Sequence, residues 1–119
     1  DRTSRGLGDV YKRQKQSKIN RAYKKVCKEI ALEREHCCTG CGRYDVPLSN
    51  SHLIPRSRRP DLIADKNNIT YHCLSIGERQ GCHEIWESKE KYKLLDYGKN
   101  LEYIAKVDEE YYNIITQWD

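Results

Sequence analysis

Six cysteines and four histidines lie in this 119-residue chain, and all but Cys27 fall between positions 36 and 83. In "CCTGCG", Cys38 and Cys41 bracket Thr39-Gly40. Two thiolates at that spacing can chelate one ion, because a tight turn aims both sulfurs inward and glycine permits the turn. Alone, the pair also suits redox chemistry. A second pair, Cys73 and Cys82, makes a tetrahedral four-thiolate zinc site the economical reading. The insert "LSIGERQG" separates this second pair, where two residues would be usual, so it must loop out for both sulfurs to reach the metal. Cys27 and Cys37 are left over as small buried apolar residues. His72 or Cys37 is the alternative fourth ligand.

The stretch "LSNSHLIPRSRRPD" places His52 just upstream of Arg56, Arg58 and Arg59. A histidine with its ordinary pKa near neutrality suits proton transfer, and arginines suit phosphate. The same residues also fit a half-buried structural histidine beside a solvated basic loop. His83 directly follows Cys82, and Glu87 is four residues further on, where a helix would put both side chains on one face.

The elements that must position these residues are legible in outline. Over 15–36 the apolar residues Ile19, Tyr23, Val26 and Ile30 recur at helical spacing. The opposite side carries Lys15, Lys18, Arg21, Lys24, Lys25 and Lys28, either a solvated face or one that lies along a phosphate backbone. "VPLSNSHLIP" reads as a β-hairpin or two short strands, punctuated by Pro47 and Ser49-Asn50. "RSRRPDLIADKNN" and "LSIGERQG" read as loops, and "NITYHC" as a short strand or turn. A helix is predicted over 82–96, ending near Tyr97-Gly98. A last helix is predicted over 100–118, burying Leu101, Ile104, Tyr111, Ile114, Ile115 and Trp118. Its acids Glu102, Asp108, Glu109 and Glu110 read as a solvated face.

Composition bounds what such a chain can be. It is 37% hydrophobic and 34% charged, with no Phe and no Met, which predicts one small domain with a thin core that needs stapling. No apolar run reaches membrane-spanning length and no leader-like segment stands out, so a reducing, cytoplasmic setting is expected, in which cysteines bind metal. A secreted disulfide domain is the weaker alternative. Residues 4–14, "SRGLGDVYKRQ", resemble a translated sequencing adapter, and residues 1–14 are accordingly expected to be a non-native tail without contacts. They hold Arg2, Arg5, Lys12 and Arg13 against Asp1 and Asp9, so the rest of the chain keeps only +2 of the formal +4. Net charge therefore does not argue for nucleic acid, although its distribution can.

The order C-x-x-C, "SHLIPRS", "NNITYHC", "CHEIWE" resembles the zinc-containing HNH endonucleases common in bacteriophages. The likeness runs over roughly residues 38–87. It implies an α+β fold: a zinc-stabilised ββα-metal (His-Me) finger within about 37–96, with one preceding helix and two following helical segments, the nuclease domain spanning 15–119. It also implies metal-dependent hydrolysis of DNA, presumed double-stranded, with nicking or weakly specific cleavage. Carried over by position, His52 is the general base and Asn68 the central asparagine that orients it. His83 binds a catalytic Mg²⁺ or other divalent ion, with Glu87 as a second ligand. Cys38, Cys41, Cys73 and Cys82 hold structural zinc. Arg56, Arg58, Arg59, Lys18, Arg21 and Lys25 are the expected DNA contacts, Arg56 foremost. The chain departs from the family at Ser51, where a metal-ligating Asp or His is common and a neutral hydroxyl is a poor ligand. Asp61 or Asp65 is a possible substitute. The alternative function is a zinc-binding nucleic-acid module without catalysis.

Overall fold

The computed structural model describes the backbone of residues 2–117 and the side chains of residues 13–117. It is a small α+β fold with four α-helices and one two-stranded antiparallel sheet. Helix α1 spans Arg2–Glu33. Its start is not at residue 15 because Gln14, Lys15 and Gln16 are helix formers with no cap or proline among them. Most of the 1–14 expectation falls on side chains outside the described residues.

The predicted apolar face of α1 is the one that docks. Ile30 is fully buried, and Tyr23 and Val26 are half-buried, against Ile69, Tyr71 and Leu48. Beyond the helix end, Arg34 donates from its two terminal guanidinium nitrogens, Nη1 to the carbonyl of Ile69 and Nη2 to that of Lys66. Lys66 in turn reaches Glu33 at 2.9 Å and Glu29 at 3.2 Å. These bonds fix α1 across the loop that leads into the second strand.

Strand β1 is Leu48–His52 and β2 is Ile69–Cys73. They pair in register from Leu48↔Cys73 to His52↔Ile69. The hairpin is therefore not folded within "VPLSNSHLIP". Ser49 and Asn50 are strand residues rather than a turn, because their partner strand lies far along the chain and supplies the ladder. The long connection closes on Asn68, which is fully buried. Its Oδ1 accepts from the Ile54 amide (2.8 Å), and its Nδ2 donates to the carbonyls of Ile54 (3.3 Å) and Leu62 (3.1 Å). Removing it leaves buried backbone groups without partners, each at a cost of about 1–3 kcal/mol. Asn68→Ala is expected to lower stability by about 2–4 kcal/mol in urea titrations with little change in m-value; a loss below 1 kcal/mol would contradict that role.

Downstream, the predicted helix over 82–96 holds only two short helical pieces. Helix α2, Cys82–Trp86, stops because the Ser88 hydroxyl competes for backbone groups: it donates to the Ile85 carbonyl (2.7 Å) and accepts from the Glu90 amide (3.0 Å). A 3₁₀ turn over Lys91–Lys93 follows, and Tyr97-Gly98 begins α3 (Tyr97–Val107) instead of ending a helix. The predicted last helix is likewise broken. Asp108 adopts φ −153° and ψ 78° and caps α4 (Glu109–Thr116) by accepting from the Tyr111 amide at 3.1 Å. Ile104 and Ile115 are buried as expected, with Leu101 and Tyr111 half-buried, but Ile114 is 38% exposed. Trp118 lies outside the described residues.

Asp108 also departs from the solvated acidic face. Its side chain is only 8% exposed and meets Arg58 at 2.9 Å and Arg59 at 3.6 Å. The Arg58 guanidinium holds its carboxyl below the ordinary carboxylate range. The main core joins Leu53, Ile54, Trp86, Leu94, Ile104 and Ile115 to three of the cysteines, Cys38, Cys73 and Cys82.

Candidate metal centre and cleft

The sulfurs of Cys38, Cys41, Cys73 and Cys82 all lie within 4.8 Å of one another. A zinc ion bound at about 2.3 Å by four thiolates sets sulfurs about 3.8 Å apart, and the Cys41–Cys73 separation is 3.9 Å. The surroundings suit thiolates. Backbone amides of Cys73 and Cys82 donate to the sulfurs of Cys38 (3.2 Å) and Cys73 (3.3 Å). Arg79 donates to Cys73 (3.4 Å) and Cys41 (3.8 Å). A Cβ at Gly40 would meet both Cβ and Sγ of Cys82 at 2.9 Å, and Gly42 sits at φ +78°, so the Cys38–Cys41 turn requires glycine at both. The insert between Cys73 and Cys82 does loop out, through a bridge between Ile76 and Arg79.

Burial pushes the Cys38 and Cys82 thiols up. Burial also acts on Cys73, but the Cys82 amide, the neighbouring thiols and Arg79 outweigh it and bring that thiol down to about 7. The four cysteines can hold a structural metal such as zinc. His72 is occupied elsewhere: it is fully buried, with Nε2 2.9 Å from Asp96 Oδ2. Cys37 donates to the Cys38 carbonyl from outside the four-sulfur group.

Beside this centre lies a cleft of about 670 Å³, bordered by β1, α1 and α2, whose lining includes His52, Arg56, His83 and Glu87. His52 Nε2 is 2.9 Å from the Ile63 carbonyl. A carbonyl can only accept, so Nε2 carries the proton and Nδ1 keeps its lone pair. Among the described residues nothing bonds Nδ1. Burial lowers the pKa of His52; the Ile63 carbonyl raises it, and the charge of Arg56 lowers it further.

His83 is fixed in the opposite tautomer. The Ser49 hydroxyl donates to the His72 carbonyl (2.9 Å), which spends its one proton, so at 3.1 Å it accepts from His83 Nδ1–H. His83 Nε2 is then a bare lone pair, 3.5 Å from Glu87 Oε1. One imidazole nitrogen and one carboxylate oxygen so placed can share a divalent ion. Ser49 resembles a turn residue in the sequence, and only strand register shows what its hydroxyl does. Ser49→Ala is expected to weaken binding of a divalent ion at His83 by about tenfold or more, read by Mn²⁺ titration of zinc-loaded protein; an unchanged affinity would remove Ser49 from the site.

The other predicted site residues divide clearly. Arg56 is exposed, with its guanidinium 5.3 Å from the centre of the Tyr23 ring. Arg58 and Arg59 are engaged by Asp108, and Arg59 also by Asp61 at 2.8 Å. Arg21 and Lys25 are exposed on α1, while Lys18 borders a separate groove with Pro60 and Asp61. Ser51 is 1% exposed on the strand face opposite His52, and among the described residues its hydroxyl has no partner. Asp61 is taken by Arg59, and Asp65 accepts from the Tyr103 hydroxyl at 2.8 Å. The chain matches no known family model, no curated protein and no solved structure.

Proposed function

We propose that the chain is a zinc-stabilised HNH-type endonuclease that hydrolyses DNA phosphodiesters at the cleft beside β1. The observation that carries this reading is the pair of opposed tautomers. His52 presents Nδ1 as a base, and His83 presents Nε2 as a ligand, in one cleft.

His52 Nδ1 takes a proton from water as its oxygen attacks phosphorus and the bond to the leaving oxygen breaks, the released alkoxide taking a proton from solvent. The Ile63 carbonyl holds the imidazole in the required tautomer and offsets part of the charge it gains. Asn68 fixes the loop that carries Ile54 and Leu62, and so the approach of the chain to His52. His83 and Glu87 would hold a divalent cation, which would supply charge stabilisation at the phosphate. Arg56 offers its free N–H groups to a phosphate oxygen, and the Arg21 and Lys25 side of α1 follows the backbone. Arg58 and Arg59, held by Asp108, act mainly on the fold.

The second reading, a binding module without catalysis, draws on Ser51, whose enclosed hydroxyl offers nothing to the cation. The experiment that separates the two is plasmid nicking by zinc-loaded protein with added Mg²⁺ or Mn²⁺, against the same zinc-loaded protein with no added divalent ion. Divalent-dependent nicking supports the nuclease. Retention of DNA on a gel with no nicking in any metal supports the binding module.

A further inference from the structure

Helix α1 contributes an aromatic side chain to the cleft that its helical spacing alone assigns to the core. Tyr23 stacks on His52 with ring centroids 5.4 Å apart and planes inclined by 30°. The same ring lies under the Arg56 guanidinium at 5.3 Å. All three side chains line the cleft that also holds His83 and Glu87. One turn further along α1, the Cys27 sulfur accepts from Asn50 Nδ2 at 3.4 Å, which ties helix to strand at the same place.

We propose that Tyr23 is a positioning residue: its ring is the wall that orients both the His52 imidazole and the Arg56 guanidinium. This rests on the proposed nuclease reading and adds α1 to the site that the hairpin and α2 begin. The physical need is specific. A single hydrogen bond from Nε2 to the Ile63 carbonyl fixes the tautomer but leaves the ring free to swing about that bond. A flat face stacked on the imidazole removes that freedom, so Nδ1 keeps one direction. Arg56 is exposed and meets no carboxylate among the described residues. Stacking on a ring places its charge while leaving the N–H donors available to phosphate. A misplacement of about 1 Å in such a group can cost about 10²-fold in rate.

The test compares Tyr23→Phe with Tyr23→Leu in the full zinc-loaded chain, using steady-state nicking and the imidazole resonances of His52. Tyr23→Leu keeps apolar volume but has no ring face. It is expected to lower kcat about tenfold or more through His52 and to raise KM several-fold through Arg56. The His52 imidazole signals should shift as the ring current is lost. Tyr23→Phe should restore both constants to within about twofold and return the signals, a rescue that bulk packing alone does not predict. If Tyr23→Leu lowers the thermal midpoint, the unbranched Tyr23→Met is judged by the same readouts. Wild-type kcat, KM and His52 signals in the folded Leu or Met variant would overturn the proposal. The resonances do not depend on cleavage, so a wild-type protein that cuts no DNA would overturn the nuclease reading while they still decide whether Tyr23 holds His52.

Discussion

Replacing Cys38 with serine, or stripping metal from the wild-type chain with a strong chelator, is expected to abolish the cooperative thermal transition altogether. The reason lies in how little else holds the centre of the fold. The only sheet among the described residues has two strands, and an isolated pair is marginal in water. Three of the four clustered cysteines are part of the main core, beside Leu53, Ile54, Trp86 and Leu94. Each also joins a different segment: the turn after α1, the end of β2 and the start of α2. One bound ion would therefore clamp all three segments at a single point. Structural zinc contributes about 10–16 kcal/mol of apparent binding energy at neutral pH in small zinc domains, which matches or exceeds the whole stability of a domain this size, about 5–15 kcal/mol. In its absence the buried thiols of Cys38 and Cys82 stay protonated and the remaining sulfurs lose their common partner. The expected result is one zinc per wild-type chain by elemental analysis, and far-ultraviolet dichroism that melts without cooperativity once the metal is removed. A chelated chain with an unchanged, sharp transition would show that the cysteines contribute only packing.

What could be read from the sequence follows the range of the interactions involved. The cysteine pairs, the apolar face of α1 and strand β2 are written in local spacing, so they are legible. The partner of β1 is not, because pairing is set by contacts between distant segments, and Ser49-Asn50 carry the composition of a turn while lying in a strand. The helix over 82–96 fails for a local reason of a different kind. The Ser88 hydroxyl takes the Ile85 carbonyl and caps a new turn, a choice that periodicity does not register. Asp108 shows the same limit for charge. It belongs to an acidic stretch, but two arginines some fifty residues earlier draw it out of solvent. In the cleft, His52, His83 and Glu87 stand out by residue type, and the fold brings them together. The residues that set their protonation and direction, Ser49, Ile63 and Tyr23, do so through a hydroxyl, a carbonyl and a ring face. None of these carries a sequence signal.

On the proposed nuclease reading, His52→Ala is the substitution expected to cost most in activity while leaving the fold intact. A positioned general base contributes about 10²–10⁴-fold to a rate, and the alanine variant should lose at least the lower figure in kcat with DNA affinity changed only a few-fold. Affinity should persist because Arg56 and the basic side of α1 do not depend on the imidazole. The pH profile gives the sharper criterion. Burial, the largest influence, disfavours the imidazolium; the Ile63 carbonyl favours it; and the Arg56 charge disfavours it again, for a net pKa below the ordinary 6.5. Only neutral His52 can take a proton from water, so wild-type nicking should rise with pH through a midpoint below 6.5 and level off before neutrality. Acidification removes the base and restores nothing, which fixes the direction of the effect. The residual activity of His52→Ala should lack that limb. A wild-type midpoint well above 7, or a variant that keeps both rate and profile, would assign the proton transfer to another group. Since Nε2 is committed to the Ile63 carbonyl, any proton His52 accepts must enter at Nδ1, the nitrogen that no other described group bonds. The imidazole resonances of His52, followed through the same pH range, should therefore titrate at Nδ1 with the midpoint seen in the rate.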